Sequence, residues 1–288
     1  MDLIVETDCG HDPDDFFTLC YLVAAGVNIR CIAVTPGDLD QLAVVRLFCE
    51  QVGLDIPIGH SKASDKYSSG SVHHRLLGRY GCSRAGRSDG WGHELIHAAL
   101  QRWPDSELFV IGPPNSVGRF LTDHPDAVLR RATMQGGFLG YDLHAHAVTR
   151  LPQFEGKTWM PTFNMNGDRK GVEALLRANV GSRRFCGKNV CHTVLYDRTR
   201  FEATAAPRCR ASELFVEAMA LLLERSEGKK FHDPVAAVCH LHPEVGVWVR
   251  GKVQKIEAGW GTVPDPAGDD VLADLDRDAF WRHISTWT

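Results

Sequence analysis

Short, wholly apolar runs alternate along the chain with longer stretches whose apolar positions recur roughly every three to four residues, the mark of strands followed by helices. Leu3-Ile4-Val5 reads as a buried strand, and Phe16 to Ala25 as the helix behind it. Ile29 to Thr35 predicts a second strand, Leu42 to Phe48 a helix, and Ile56 to Gly59 a short strand. Residues 60–92 are rich in Ser, Gly, Arg and His with weak periodicity, so they read as a long surface segment. Glu94 to Arg102 predicts a helix, Glu107 to Ile111 a strand, and Ser116 to Leu121 the start of another helix. Ala132 to Met134 leads into Gln135-Gly136-Gly137. This rhythm predicts an α/β fold with an open, mostly parallel, Rossmann-like sheet flanked by helices, its active site at the carboxyl ends of the strands. Beyond residue 140 the pattern loosens. A helix is expected around Gly171 to Ala178, a strand near Val190 to Leu195, and a helix over Ser212 to Glu224. Another helix opens at His232-Asp233-Pro234, and Val253 to Gly261 and Val271 to Asp276 read as antiparallel strands before a short final helix. No repeat or compositional break divides the chain, which predicts one domain over 1–288.

The chain has 288 residues, enough to bury a substantial core. Its net charge of -4, without a basic stripe, argues against nucleic acid as the main partner. No apolar run is long enough to span a bilayer, and the N-terminus enters a strand directly, with no signal-like segment. Nine scattered cysteines, several inside apolar runs, predict reduced, buried thiols in a cytoplasmic protein.

The candidate chemistry lies in the first strand-to-helix turn, Asp8-Cys9-Gly10-His11-Asp12-Pro13-Asp14-Asp15. Four carboxylates in eight residues repel one another unless something positive neutralises them. A hard divalent cation with oxygen ligands does so, whereas a helix N-cap needs only one or two such residues. Polar or glycine-rich strand ends recur at 36–38, 112–115 and 135–137, and a parallel sheet gathers these along one edge. Phe231-His232-Asp233-Pro234 has the form of a helix start and would also deliver a carboxylate and an imidazole to that edge.

With these stretches in place, the sequence resembles the nucleoside hydrolase family, the calcium-dependent N-ribohydrolases of the inosine–uridine type. The family's D-x-D-P-G-x-D-D signature is similar to Glu6-Thr7-Asp8-Cys9-Gly10-His11-Asp12-Pro13-Asp14-Asp15. Its G-P-x-T-N strand end resembles Gly112-Pro113-Pro114-Asn115-Ser116, its M-G-G element Met134-Gln135-Gly136-Gly137, and its A-E-F-N segment Pro161-Thr162-Phe163-Asn164. Its late H-D-P matches His232-Asp233-Pro234. The resemblance implies hydrolysis of an N-glycosidic bond by a calcium-bound water. It implies Asp8 as calcium ligand and base, Asp233 as a second ligand, and Asn115 where a main-chain carbonyl reaches the metal. It places Thr162, Phe163 and Asn164 at the ribose, Asp38 beside it, and His232 as the acid that protonates the leaving base. It further implies a small-molecule nucleoside or nucleotide as partner and a homodimer or homotetramer.

Two departures stand out. Asp12 fits the penultimate aspartate of the signature by spacing from Asp8, which puts Pro13 at a ligand position. Either Asp14 takes over that role, or the pair Asp14-Asp15 does after a two-residue bulge. Thr162 replaces a glutamate that grips the ribose 5′-hydroxyl, which makes room for a larger or charged 5′ substituent such as a phosphate. Base departure also calls for an acid or for aromatic stacking, and Trp91, Trp159 and Trp260 are the stacking candidates, with Trp260 placed at the substrate. His73-His74, in the long segment, read as solvated. Two other readings compete. One is a metal-dependent phosphohydrolase, which needs a lysine near the phosphate, and no lysine stands at a matching strand end. The other is a non-catalytic ribose- or nucleotide-binding homologue.

Overall fold

The computed structural model describes residues 1–10, 12–140 and 150–288, so that His11 of the acidic turn lies outside the described residues. Among them the strands are β1 (Asp2–Thr7), β2 (Asn28–Val34), β3 (Ile58–His60), β4 (Gly90–Trp91), β5 (Glu107–Val110), β6 (Val128–Gln135) and β7 (Trp159–Met160). They continue with β8 (Asn179–Cys186), β9 (Leu195–Asp197), β10 (Gly228–Lys230), β11 (Gly246–Ile256), β12 (Gly259–Pro264) and β13 (Asp269–Leu275). One large sheet runs in the order β4-β3-β2-β1-β5-β6-β8-β13-β11-β12-β7, and β9 and β10 pair separately. Every pairing from β4 across to β13 is parallel. The pairings β13–β11, β11–β12 and β12–β7 are antiparallel.

Helices cover both faces, which is why β1 and β5 are apolar at successive positions rather than alternate ones. Leu3 and Val5 enter one core with Phe17, Phe215 and Val235, while Ile4 enters the other with Ile96, Val117, Val172 and Trp260. The chain builds outward from β1 through β2, β3 and β4, then returns to lay β5 on the other side of β1. The crevice beyond the carboxyl ends of β1 and β5 is therefore a topological switch point, where open α/β sheets bind ligands. Among the described residues no helix is long and apolar enough to cross a membrane.

The structure corrects three readings. Residues 60–92 are not a loop throughout, because Ser71–Arg79 is a helix that buries His73, Leu76 and Leu77. His73 is not solvated; its ring meets the Phe16 ring edge-on at 6.0 Å. The inward face of this helix carries an imidazole, so its period was hard to read. The strand expected near Val190 to Leu195 is β8 instead, and Lys188–Cys191 is a helical turn. Arg183 and Arg184 hide the apolar alternation of β8, their charge being met by Asp269 and Asp270 of β13.

The segment ahead of helix Ser71–Arg79 is tied down by Asp40, a fully buried residue in the first turn of helix Leu39–Val52. Its carboxylate accepts from the Ser68 and Ser69 amides at 2.8 and 3.0 Å, from Ser69 Oγ at 2.6 Å and from Arg84 at 3.1 Å. Burial alone would raise this carboxyl, but the Ser69, Ser68 and Arg84 donors hold it well below the usual range. Asp40→Ala is expected to cost about 1.5–3 kcal/mol of stability, read from urea unfolding, because the Ser68 and Ser69 amides and the Ser69 hydroxyl lose a charged acceptor. The wild-type contribution is full above pH ~4 and fades as pH falls through the depressed carboxyl range. A loss well under 1 kcal/mol would refute this role for Asp40.

Candidate active site

Asp8 follows β1 directly, and Ile111-Gly112 follows β5. The two strand ends touch: a Cβ on Gly112 would stand 2.6 Å from the Asp8 amide nitrogen. Only glycine permits that approach. Buried Gln41 locks the neighbouring turns. Its Nε2 donates to the Asp8 carbonyl at 3.1 Å, and its Oε1 accepts from the Gly37 and Asp38 amides at 3.1 and 3.0 Å. Glu6 faces inward within β1, accepts from the Ser116 and Val117 amides at 2.6 and 2.8 Å, and ties β1 to the helix Asn115–Asp123. Burial raises its carboxyl to about 7 against those bonds.

Pro13 opens the helix Pro13–Ala24, a position where its missing N–H costs nothing. Asp12 is the N-cap, its carboxylate accepting from the Asp14 amide at 3.4 Å. The helix register then turns Asp14 and Asp15 into the protein, both buried. The Thr7 hydroxyl donates to Asp15. Asp233 starts the helix Asp233–Leu241, whose first amides, those of His232 and Asp233, donate to Asp14 at 3.0 and 3.4 Å. Asp14, Asp15 and Asp233 thus offer carboxylate oxygens within 4.8 Å of one another. Asp14 and Asp15 therefore lie beside Asp233, whereas Asp12 caps the helix.

The charges divide the cluster. Lys229 Nζ lies 2.9 Å from Asp12 and 3.3 Å from Asp14, and His232 Nδ1 lies 3.4 Å from Asp14. Burial would raise Asp14, yet His232 and Lys229 pull it well below the carboxylate range. Burial and Asp14 push Asp12 up to about 6, against the pull of Lys229. Among the described residues no ion pair joins Asp8, Asp15 or Asp233 to a basic side chain. Burial and the neighbouring Asp14 push Asp8 up to about 8. Burial, with Asp8 and Asp14 close by, drives Asp15 well above its ordinary value, as burial with Asp14 and Asp15 does Asp233. Three buried carboxylates without a cation, all hard oxygen donors, suit a divalent metal ion.

Above this floor a cavity is lined by Asp8, Asp12, Asp14, Asp15 and Asp233 together with Thr162, Phe163, Asn164 and His232. Asn164 Nδ2 donates to the Ile111 carbonyl at 2.9 Å and to Gln135 Oε1 at 2.8 Å, so its amide is fixed. His232 leaves Nε2 without a hydrogen-bond partner. Three expected residues do not line the cavity. Asn115 begins its own helix, whereas Ile111, four residues earlier and just after β5, lines the cavity. Asp38 caps the helix Leu39–Val52, its backbone held away by Gln41. Trp260 is 1 % exposed in β12 and packs in the core, because its flanking glycines belong to a strand rather than a loop. Trp91 and Trp159 also lie outside the cavity lining, in β4 and β7. The sequence reading missed Gln135, Lys188, His192 and Lys229. The pair Lys229-Lys230, just ahead of Phe231-His232, was the available signal.

The chain matches the family model described as inosine-uridine preferring nucleoside hydrolase over residues 3–282. No curated protein sequence matches it. Among solved structures it is similar to an inosine-uridine preferring nucleoside hydrolase from Bacillus anthracis, with a TM-score of 0.72 at 15% identity, covering 99% of this chain and 98% of that one. A plant nucleoside hydrolase gives a TM-score of 0.74 at 14% identity, with the same coverage of 99% and 98%. A purine-preferring ribonucleoside hydrolase from Gardnerella vaginalis gives 0.65 at 16% identity, over 100% and 99%. At such identities the structures speak for the fold, and the family model for the lineage. The chain belongs to the inosine-uridine preferring nucleoside hydrolase family, enzymes that hydrolyse the N-glycosidic bond of nucleosides.

Proposed function

We propose that this chain releases the free base from a nucleoside with the help of a calcium ion held by Asp8, Asp15 and Asp233, with Asp14 and the Ile111 carbonyl beside them. The observation that carries the reading is the cluster of buried carboxylates at the floor of a cavity that also presents His232. Calcium takes six to eight oxygens, so about half its shell is open to a sugar diol and a water. When bound, the ion supplies a positive charge that orients water and makes it more acidic. Asp8 accepts the water's proton as the oxygen attacks C1′. The ribose ring gains oxocarbenium character in the transition state, and the carboxylates around it balance that charge. Asn164, locked by Ile111 and Gln135, presents its remaining side-chain oxygen to the sugar. His232 donates a proton to the departing base nitrogen from Nε2, the ring nitrogen not facing Asp14.

Chromatography of a panel of purine and pyrimidine ribonucleosides tests this. Free base is expected to appear with calcium and to vanish on chelation and on His232→Ala for at least one base class. Base release that persists fully in excess chelator would sink the metal assignment.

A further inference from the structure

The acidic floor describes only one end of the cavity. The cavity is also lined by Thr162, Phe163 and Lys188, the last from the helical turn Lys188–Cys191. The Lys188 ammonium donates to the Pro161 carbonyl at 3.0 Å, and among the described residues no carboxylate pairs with it. The ammonium thus rests on a neutral carbonyl and keeps its charge available to an anion in the cavity it lines. Thr162, next to Pro161, is 5 % exposed and lines the cavity, and its Oγ1 has no hydrogen-bond partner. Buried hydroxyls are bonded as a rule, so this one points to a ligand atom. Burial and the charges of His232, Lys230, Lys188 and Lys229 depress His192, which lines the same cavity, to about 4.

We propose that Lys188 and Thr162 form a subsite for the 5′-phosphate of a nucleoside 5′-monophosphate. The assignment rests on the hydrolytic reading above and narrows its substrate class. A nucleoside offers a diol to the acidic end and nothing charged to the Lys188 end, whereas its 5′-monophosphate satisfies both. A base carbonyl at Lys188 would leave the ammonium charge uncompensated. In the reaction the water oxygen bonds to C1′ as the C1′–N bond breaks, its electron pair going to the base nitrogen. One water proton passes to Asp8 and a proton from His232 reaches the base, leaving free base and ribose 5-phosphate with the phosphate ester intact.

Calorimetric binding of ribose 5-phosphate and of ribose separates the subsite from turnover. Wild type is expected to bind ribose 5-phosphate about tenfold or more tightly than ribose, as one charge-assisted contact allows. Lys188→Gln should abolish that preference and Lys188→Arg should keep most of it, which controls for a folding defect. Base release is then compared as the ratio of kcat/KM for a 5′-monophosphate over its nucleoside, and this ratio should fall about tenfold or more in Lys188→Gln. Equal binding of the two sugars by wild type, or a preference that survives in Lys188→Gln, overturns the subsite. A preference for ribose 5-phosphate without base release from any substrate keeps the subsite and overturns the hydrolytic reading instead.

Discussion

Asp8→Asn is expected to lower kcat for base release by about a thousandfold while leaving the protein at least as stable, since a positioned general base contributes roughly 10²- to 10⁴-fold. The side chain changes by one atom, and the anchor that fixes this residue is unaffected because Gln41 bonds the main-chain carbonyl of Asp8, not its carboxylate. The carboxylate itself is a cost to the fold: burial and Asp14 push it to about 8. An amide carries no charge to repel Asp14 and Asp12, so the thermal midpoint of the metal-free protein, measured with chelator, should hold or rise. A merely structural aspartate would behave in the opposite way, losing stability and activity together. Steady-state rates at saturating substrate and added calcium, beside thermal unfolding of both proteins, decide it. Retention of more than about a tenth of wild-type kcat would exclude Asp8 as the base.

What made Asp8 legible in advance also shows where sequence reasoning stops. A buried apolar strand followed by a run of acids fixes the chemistry of a turn, because few environments tolerate four neighbouring carboxylates. The same run left the roles of Asp12, Asp14 and Asp15 open, since those depend on where the helix begins. Pro13 at its first position settles the register, turning Asp14 and Asp15 inward and leaving Asp12 at the cap. Trp260 failed for a related reason: glycine flanks suggest a loop, but in β12 they allow close strand packing, with Gly259 against Met160. Asn115 and Ile111 differ by four positions, and only the end of β5 tells which residue lines the cavity. Lys188 and Lys229 were invisible because each reaches the cavity from an element distant in sequence from the acids, and a point charge on a flexible stem leaves no periodic trace.

Removal of the metal should have the second large effect, on stability and its pH dependence together. Asp8, Asp15 and Asp233 are raised above their unfolded values in the metal-free protein. The sign follows from proton counts. Between pH ~4, where unfolded aspartates ionise, and pH ~8, the metal-free folded state holds protons that the unfolded chain has released. Its stability therefore falls as pH rises through that window. Asp14, held low, titrates below the window and adds no slope inside it. A bound cation favours the carboxylates that hold it and removes their protons, so the calcium-loaded protein should fall less steeply from pH 5 to 8, with Glu6 and Asp12 keeping part of the slope. Loading at 100 times Kd adds about 2.7 kcal/mol, which raises the thermal midpoint by roughly 4–5 °C for a chain of this size. Midpoints measured with excess calcium and with chelator should diverge as pH climbs, and base release should disappear with the ion. Coinciding curves across the window would mean that Lys229 and His232 already neutralise the acidic floor and that no metal belongs there.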